Sequence, residues 1–181
     1  MYKSSGIHFT DPEQVINKLD LAPEAVVADF GSGPGAYTFA LARKLSAGRV
    51  YAVDIQKDLL EKLRREARAA HLGNIEIIWG EISRVGGVKL ADAKLDAIVV
   101  SNVLFQIDAK YQLVLEAKRL LKPGGRLLLV DWSESFSHLG PRPEEVVPAA
   151  AAEQIFTEAG LTAGEPFSAG PHHYGIIFTK K

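Results

Sequence analysis

The chain of 181 residues contains no cysteine. It therefore has no disulfide, no thiolate metal site and no thiol nucleophile of the kind that cytosine-C5 methylation and thiolate-based arsenite chemistry need. Any acid–base step must use histidine or carboxylates. Of the five histidines, only His172 and His173 are close in sequence, so no metal site is expected.

Long apolar runs and an excess of charge are also absent. No segment approaches the roughly 20 apolar residues of a membrane span, and no signal-peptide pattern follows the N-terminal lysine. The net charge of −1 gives no bulk attraction for polyanions, so no nucleic-acid partner is expected. We expect a cytoplasmic protein, with one domain over residues 1–181. The single methionine and the lack of cysteine would fit a hot habitat.

A glycine-rich turn is the most informative feature that is present. The apolar run 26–30 predicts a buried strand, three alternating glycines follow at Gly31, Gly33 and Gly35, and a helical pattern then covers 36–45. Glycine lets the backbone approach a ligand closely, and a helix N-terminus presents unpaired N–H groups. This strand, turn and helix predict a nucleotide-binding corner.

Two fingerprints fit that corner. Gly31, Gly33 and Ala36 match the dinucleotide pattern, whereas Asp29 followed by three alternating glycines matches the S-adenosylmethionine (SAM) pattern. Asp54 ends the next apolar strand, where a carboxylate can accept hydrogen bonds from both hydroxyls of an adenosine ribose. At this stage both cofactors remain open.

Helical and strand patterns alternate along the rest of the chain. Helices are predicted at 11–19, 36–45, 57–71, 109–121 (with Asp108 as its cap) and 148–160, and strands at 26–30, 50–54, 75–79, 95–100, 126–131, 161–168 and 174–180. Unbroken apolar strands between helices favour a parallel sheet that is covered on both faces. The closing β-hairpin requires one antiparallel strand, which a plain dinucleotide domain does not have.

Four motifs in order carry a family resemblance. They are Asp29–Gly35, Asp54, the triplet Gly80-Glu81-Ile82, and the turn Leu121–Arg126. On these motifs the chain resembles a small, single-domain class I SAM-dependent methyltransferase of the ubiquinone/menaquinone type. The resemblance implies an α/β, Rossmann-like, doubly wound seven-stranded sheet of order 3-2-1-4-5-7-6 with strand 7 antiparallel. An NAD-dependent oxidoreductase and a non-catalytic SAM-binding module are the alternatives.

The resemblance also implies which residues hold SAM and its product S-adenosylhomocysteine. These are Asp29, Gly31, Ser32, Gly33, Gly35, Asp54, Ile55, Glu81, Ile82, Ser101 and Asn102. The glycine turn would contact the methionine and ribose portion, and Asp29 would meet the ammonium group. Asp54 would hold the ribose hydroxyls, while Ile55 would cover the adenine and Glu81 or the Ile82 backbone would meet its edge. Ser101 and Asn102 would contact the methionine end.

The acceptor side is less defined by sequence. Methyl transfer is an in-line displacement that depends mainly on holding the acceptor at near-attack distance. Ligands of open α/β sheets bind at the carboxyl ends of the strands, so Asp131, His172 and His173 are candidate catalytic residues, and His138 lies in the intervening loop. Residues 132–143 are predicted to form the acceptor loop and residues 1–20 a helical lid segment. Aromatic residues in and near this loop suggest a flat or lipophilic small-molecule acceptor.

Overall fold

One eight-stranded sheet flanked by helices runs through the protein. The computed structural model describes residues 10–137 and 139–181. Its helices are α1 (Pro12–Asn17), α2 (Ala36–Lys44), α3 (Lys57–Ala69), α4 (Lys110–Leu120) and α5 (Ala149–Glu158). Its strands are β1 (Val26–Phe30), β2 (Arg49–Asp54), β3 (Ile75–Trp79), β4 (Leu95–Ser101), β5 (Leu121–Trp132), β6 (Leu161–Ala163), β7 (Phe167–Gly170) and β8 (His173–Lys180). Short 3₁₀ turns occupy Leu104–Gln106 and Pro143–Glu145.

The strand order is β3-β2-β1-β4-β5-β8-β6, and β7 also pairs with β8. Strands β1 to β5 are parallel, whereas β8 runs antiparallel to β5. This arrangement confirms the predicted Rossmann-like order, with β8 in the place of the predicted strand 7. The order reverses between β1 and β4, which is the usual ligand position in such a sheet.

The predicted strand 161–168 is broken into β6 and β7, so the sheet has eight strands instead of seven. Both pieces pair antiparallel with β8. Pro166 lies between them and has no N–H to donate to the ladder, which explains the interruption. Two other boundaries were predicted wrongly. Strand β5 already begins at Leu121, and the residue before α4 is Ala109, without a side-chain cap from Asp108.

Two hydrophobic clusters cover the two faces of the sheet. One cluster joins Leu113 of α4 and Phe156 of α5 to the sheet, and the other joins Ile16 of α1 and Leu41 of α2 to its opposite face. Successive residues of β1, β4 and β5 point to alternate clusters, because side chains alternate along a strand. This two-sided burial explains the unbroken apolar strands. Among the helices of the described residues, none is long and apolar enough to cross a bilayer.

Candidate active site

A cavity of about 840 Å³ lies at the carboxyl ends of β1, β2, β3 and β4. The residues of the predicted cofactor set that line it are Asp29, Gly31, Ser32, Gly33, Asp54, Ile55, Glu81, Ile82, Ser101 and Asn102. Residues that the sequence did not single out also line it, among them Tyr37, Trp79 and Gln106. The structure therefore brings the predicted cofactor residues to one cavity, with the exception of Gly35.

The glycine turn after β1 forms one wall of the cavity. Gly31 has φ +70° and Gly33 has φ +50°, and the N–H groups of Gly31 and Ser32 both donate to the Val53 carbonyl at 2.9 and 3.0 Å. A Cβ on Gly31 would lie 2.7 Å from Cγ2 of Val103. Glycine is thus required at position 31 by the backbone angle and by the close approach of the chain that follows β4.

Gly35 lies behind this wall. It precedes α2 in the left-handed conformation, with φ +95°, and a Cβ there would lie 2.9 Å from the Phe39 ring and 3.0 Å from Leu63. The third glycine of the motif therefore allows the entry of α2 and its packing on α3. Its direct contact with a cofactor is not supported by its position.

Asp54 is held at the end of β2 by the backbone. Its Oδ2 accepts a hydrogen bond from the Gly33 N–H at 2.9 Å and its Oδ1 accepts one from the Gln56 N–H at 2.8 Å. An ionised carboxylate has about four lone-pair positions, so each oxygen keeps capacity for another donor. The two contacts fix the side chain at the cavity wall and leave it able to accept from two neighbouring hydroxyls.

Asp29 is almost fully buried and lines the same cavity. Burial raises the pKa of Asp29 to about 6, while the hydrogen bond from Oγ1 of Thr38 to its Oδ2, at 2.6 Å, acts in the opposite direction. A cation within a few ångströms would favour the ionised form. The position therefore suits a positively charged group of a ligand.

Several buried polar atoms beside Asp29 have unused hydrogen-bonding capacity. Within residues 10–137 and 139–181, Oγ of Ser32 and Oδ1 of Asn102 have no hydrogen-bond partner. The Tyr37 hydroxyl lies near Thr10 and Ser101 without a hydrogen bond of good geometry. A buried polar group without a partner costs about 1–3 kcal/mol. These atoms all belong to residues that line the cavity, which indicates that a polar ligand supplies their missing hydrogen-bond partners.

The opposite side of the cavity, at β2 and β3, is apolar and open. Ile55 is 59% exposed and Trp79 is 61% exposed, although both are large hydrophobic residues. The Trp79 indole donates to the Ile55 carbonyl at 3.0 Å, and the Lys57 ammonium lies 5.5 Å from its ring centroid. Trp79 pairs with Asp54 across the sheet, and this register places it at the cavity edge. These side chains offer a flat apolar surface to a ring.

The Gly80-Glu81-Ile82 triplet closes this side. Ile82 is buried, whereas the Glu81 carboxylate accepts from the Ser83 hydroxyl at 3.2 Å and lies 3.9 Å from Nε of Arg84. The three acids that line the cavity are Asp29, Asp54 and Glu81, and the described lining residues include no lysine or arginine. This charge suits a cationic ligand and leaves a pyrophosphate without a counter-charge.

Asp131, predicted as a catalytic residue, does not line the cavity. Its carboxylate accepts from the Leu104 N–H at 2.9 Å and from the Trp132 N–H at 2.8 Å. Burial raises the pKa of Asp131 to about 6. The side chain therefore faces backbone N–H groups at the end of β5.

Of the two predicted catalytic histidines, His172 lies in the turn before β8 and His173 is the first residue of β8, and both are outside the cavity lining. Nδ1 of His172 is 2.6 Å from Oε1 of Glu134, and its ring stacks on Phe136 with centroids 4.0 Å apart. Nδ1 of His173 is 2.9 Å from the Pro171 carbonyl, and burial lowers the pKa of His173. Both histidines contact or adjoin the predicted acceptor loop 132–143. His138 and the first nine residues of the predicted lid lie outside the described residues.

Comparisons with known proteins identify the family. Residues 21–161 match the family model described as a methyltransferase domain. An arsenite methyltransferase of Halobacterium salinarum is 30% identical over 128 residues, which are 70% of this chain and 31% of that protein. The ubiquinone/menaquinone biosynthesis C-methyltransferase UbiE of Hydrogenovibrio crunogenus is 29% identical over 133 residues, 72% of this chain and 51% of that protein.

The chain thus spans about a third to a half of the length of these curated relatives. A crystal structure of a SAM-dependent methyltransferase from Aquifex aeolicus superimposes with a TM-score of 0.89 and 26% identity, covering 99% of this chain and 94% of that one. The family match and the fold agree. The chain therefore belongs to the methyltransferase domain family, within the class I SAM-dependent methyltransferases.

Proposed function

We propose that the protein binds SAM in the cavity at the ends of β1 to β4 and transfers its methyl group to a small-molecule acceptor. The observation that carries this proposal is the division of the cavity into two sides. The β1/β4 side holds Asp29 and the unpartnered atoms of Ser32 and Asn102, and the β2/β3 side exposes Ile55 and Trp79. Asp54 lies between them.

Across the cavity, the residues follow the same order as the parts of SAM that they would contact. Asp29 would bind the ammonium group, and the Ser32 hydroxyl and Asn102 amide would hydrogen-bond the rest of the amino-acid end. Asp54 would accept from both ribose hydroxyls, because its two oxygens are already oriented by Gly33 and Gln56. Ile55, Trp79 and Ile82 would cover the adenine. SAM supplies an electrophilic methyl group that a nucleophile attacks in line, so the protein contributes mainly by positioning.

The acceptor is proposed to be a small molecule with an apolar, flat body. Within the predicted loop 132–143, Trp132 is buried at the end of β5, Leu139 is exposed, and Phe136 stacks on His172 at the neighbouring turn. Relatives are named for arsenite and for quinone precursors. Arsenite is disfavoured here because the chain has no cysteine to bind a soft metalloid. If the acceptor must lose a proton, His172 and His173 remain the candidate bases.

Calorimetric titration with SAM, S-adenosylhomocysteine and NAD tests the cofactor. Micromolar binding of the first two and none of NAD is expected. Trp79 gives an independent signal, since the chain has two tryptophans and, of the two, Trp79 is the one that lines the cavity. SAM should change the tryptophan fluorescence of the wild type, and much less that of Trp79→Phe, which keeps Trp132 as a matched background.

Two outcomes would contradict the proposal. Binding of NAD without SAM would favour the oxidoreductase alternative, with Gly31, Gly33 and Ala36 as its fingerprint. Tight SAM binding without S-adenosylhomocysteine formation on a panel of hydroxylated aromatic acceptors would favour a non-catalytic SAM-binding module. The panel should include ring carbon, oxygen and nitrogen nucleophiles, with product release followed by mass spectrometry.

A further inference from the structure

Asp131 does not line the cavity, but its contacts reach the segment that forms one cavity wall. It is the penultimate residue of β5 and is almost fully buried. Its Oδ2 accepts from the Leu104 N–H, 27 residues earlier in the chain, and its Oδ1 accepts from the N–H of Trp132. Its partner Leu104 starts the 3₁₀ turn that follows β4. The carboxylate thus joins the end of β5 to the segment that follows β4.

That segment forms a wall of the cavity. Asn102, Val103 and Gln106 line it, and the Asn102 N–H is fixed to the Val130 carbonyl at 2.9 Å. Asn102 has a left-handed φ of +55°, a conformation that asparagine adopts more readily than most residues. Val103 packs on Gly31, since a Cβ at that glycine would lie 2.7 Å from its Cγ2. The position of residues 102–104 therefore determines the spacing between the glycine turn and the end of β4.

We propose that Asp131 is a positioning residue, which holds the 102–104 segment against the glycine turn so that Asn102 and Gly31 bind the amino-acid end of SAM. The Val103 N–H also lies near this carboxylate and favours its charged form. An ionised carboxylate can accept from all these donors, whereas an amide offers only one acceptor oxygen. A general base at this place would need a path to the acceptor, and both oxygens of Asp131 are engaged by backbone N–H groups.

Asp131→Asn is the test, because the substitution keeps the shape and replaces one acceptor oxygen with a donor. The Leu104 amide should exchange with solvent faster, while the Leu128 amide in the middle of β5 keeps its protection. The dissociation constant of SAM should rise about tenfold, the loss expected for one charged hydrogen bond. Turnover at saturating SAM should keep the pH profile of the wild type.

Asp96→Asn is the matched control. Asp96 also holds a backbone N–H, that of Val26 at 2.8 Å, but it lies at the amino end of β4 and accepts from Lys122. This control should change neither the Leu104 exchange rate nor the SAM affinity. Unchanged SAM affinity in Asp131→Asn would overturn the positioning role. A different result would make Asp131 a base instead. In that case Asp131→Asn would bind SAM with unchanged affinity, and its turnover would fall and lose the acid limb of the wild-type pH profile.

A measurement on the wild type covers the case in which Asp131→Asn does not fold. The Leu104 and Trp132 amide proton signals should shift together, with one midpoint, when the carboxylate is protonated. The other groups near Asp131 are Lys110 on α4 and Tyr174 and His173 on β8. Burial raises the pKa of Tyr174, so its phenol stays neutral, and the imidazole signals of His173 report its own protonation. If the Leu104 and Trp132 amide signals do not shift when the Asp131 carboxylate is protonated, the proposed contact is wrong.

Because this role rests on the proposed function, wild-type SAM affinity is measured first. A wild type that does not bind SAM would refute the proposed function, and the Leu104 exchange rates would then still decide whether Asp131 holds the segment. A wild type that binds SAM, with an Asp131→Asn variant of equal affinity, would refute the positioning role alone.

Discussion

Asp29 and Asp131 are each the penultimate residue of a parallel strand, β1 and β5, and burial raises the pKa of both to about 6. They differ in what their carboxylates contact. Asp29 is contacted by the hydroxyl and the backbone N–H of one residue, Thr38, and lines the cavity. Asp131 accepts from the N–H groups of two separate segments, at Leu104 and Trp132, and does not line the cavity. A shifted pKa therefore does not by itself assign a role to a buried acid. The hydrogen-bond partners of the carboxylate oxygens distinguish an acid that can bind a cation from one that fixes the position of the backbone.

Asp54 combines both features, so its removal should have the largest effect. It accepts from the backbone N–H groups of Gly33 and Gln56, as Asp131 does from its own partners, and it lines the cavity, as Asp29 does. Asp54→Ala removes both the orientation of the turn and the proposed acceptor for the ribose. We expect a loss of about 2–3 kcal/mol in SAM affinity, roughly 30- to 150-fold, in a calorimetric titration.

Asp58→Ala is the control for this change. Asp58 lies in the exposed first turn of α3, four residues from Asp54, and does not line the cavity. Its substitution should leave SAM affinity unchanged. Wild-type affinity in Asp54→Ala would remove Asp54 from the cofactor site.

Asp29→Asn should stabilise the protein at neutral pH. The pKa of Asp29 is about 6 in the folded protein, above its ordinary value of 3.8, so the fold disfavours the ionised form. Because the pKa of this carboxyl is raised by folding, its ionisation lowers the free energy of unfolding. This loss of stability is absent below about pH 4 and complete above about pH 6. The variant should therefore unfold with a free energy on the order of 2 kcal/mol higher than the wild type at pH 7.5. Urea denaturation at pH 7.5 and at pH 4.5 should show the gain shrinking at the lower pH.

The same variant should bind SAM more weakly. If only ionised Asp29 binds the ammonium group, wild-type affinity falls about tenfold for each pH unit below 6, and that dependence disappears in Asp29→Asn. At pH 7.5 the variant should lose about 1.5 kcal/mol of binding free energy, roughly tenfold in affinity. A more stable variant with full affinity and an unchanged pH dependence would assign the ammonium contact to another residue.

The cavity wall formed by the glycine turn was predictable because its residues are close in sequence. A strand, three glycines and a helix occupy positions 26–45, and Asp54 follows at the end of the next strand, so strand order alone brought them together. Trp79 was missed, because its exposure depends on the register of β3 beside β2. The hydrogen-bond partner of Asp131 also could not be predicted from the sequence. Leu104 is reached through a parallel pairing of β4 with β5, and a hydrogen bond to a backbone N–H leaves no side-chain signature.

Thr38→Val should have the smallest effect and refine the comparison of the two acids. Thr38 is fully buried on α2, and its hydroxyl is the side-chain donor to Asp29 at 2.6 Å. Valine keeps nearly the same shape and removes the donor, so the ionised form of Asp29 loses a stabilising contact and its pKa rises further. The acid limb of SAM affinity should move to higher pH, with about 1 kcal/mol of lost stability at neutral pH.

A control variant shows whether the effect belongs to the Thr38 hydroxyl. Thr157 donates to the Glu153 carbonyl at 2.8 Å on the exposed side of α5, so Thr157→Val removes a threonine hydroxyl far from the cavity and should leave the midpoint in place. SAM affinity measured between pH 5 and 8 gives the midpoint for each variant. A midpoint that stays fixed in Thr38→Val would mean that the pH dependence belongs to a different group. In that case Asp131 would be the next acid to test, since its protonation would loosen the 102–104 segment instead of the ammonium contact.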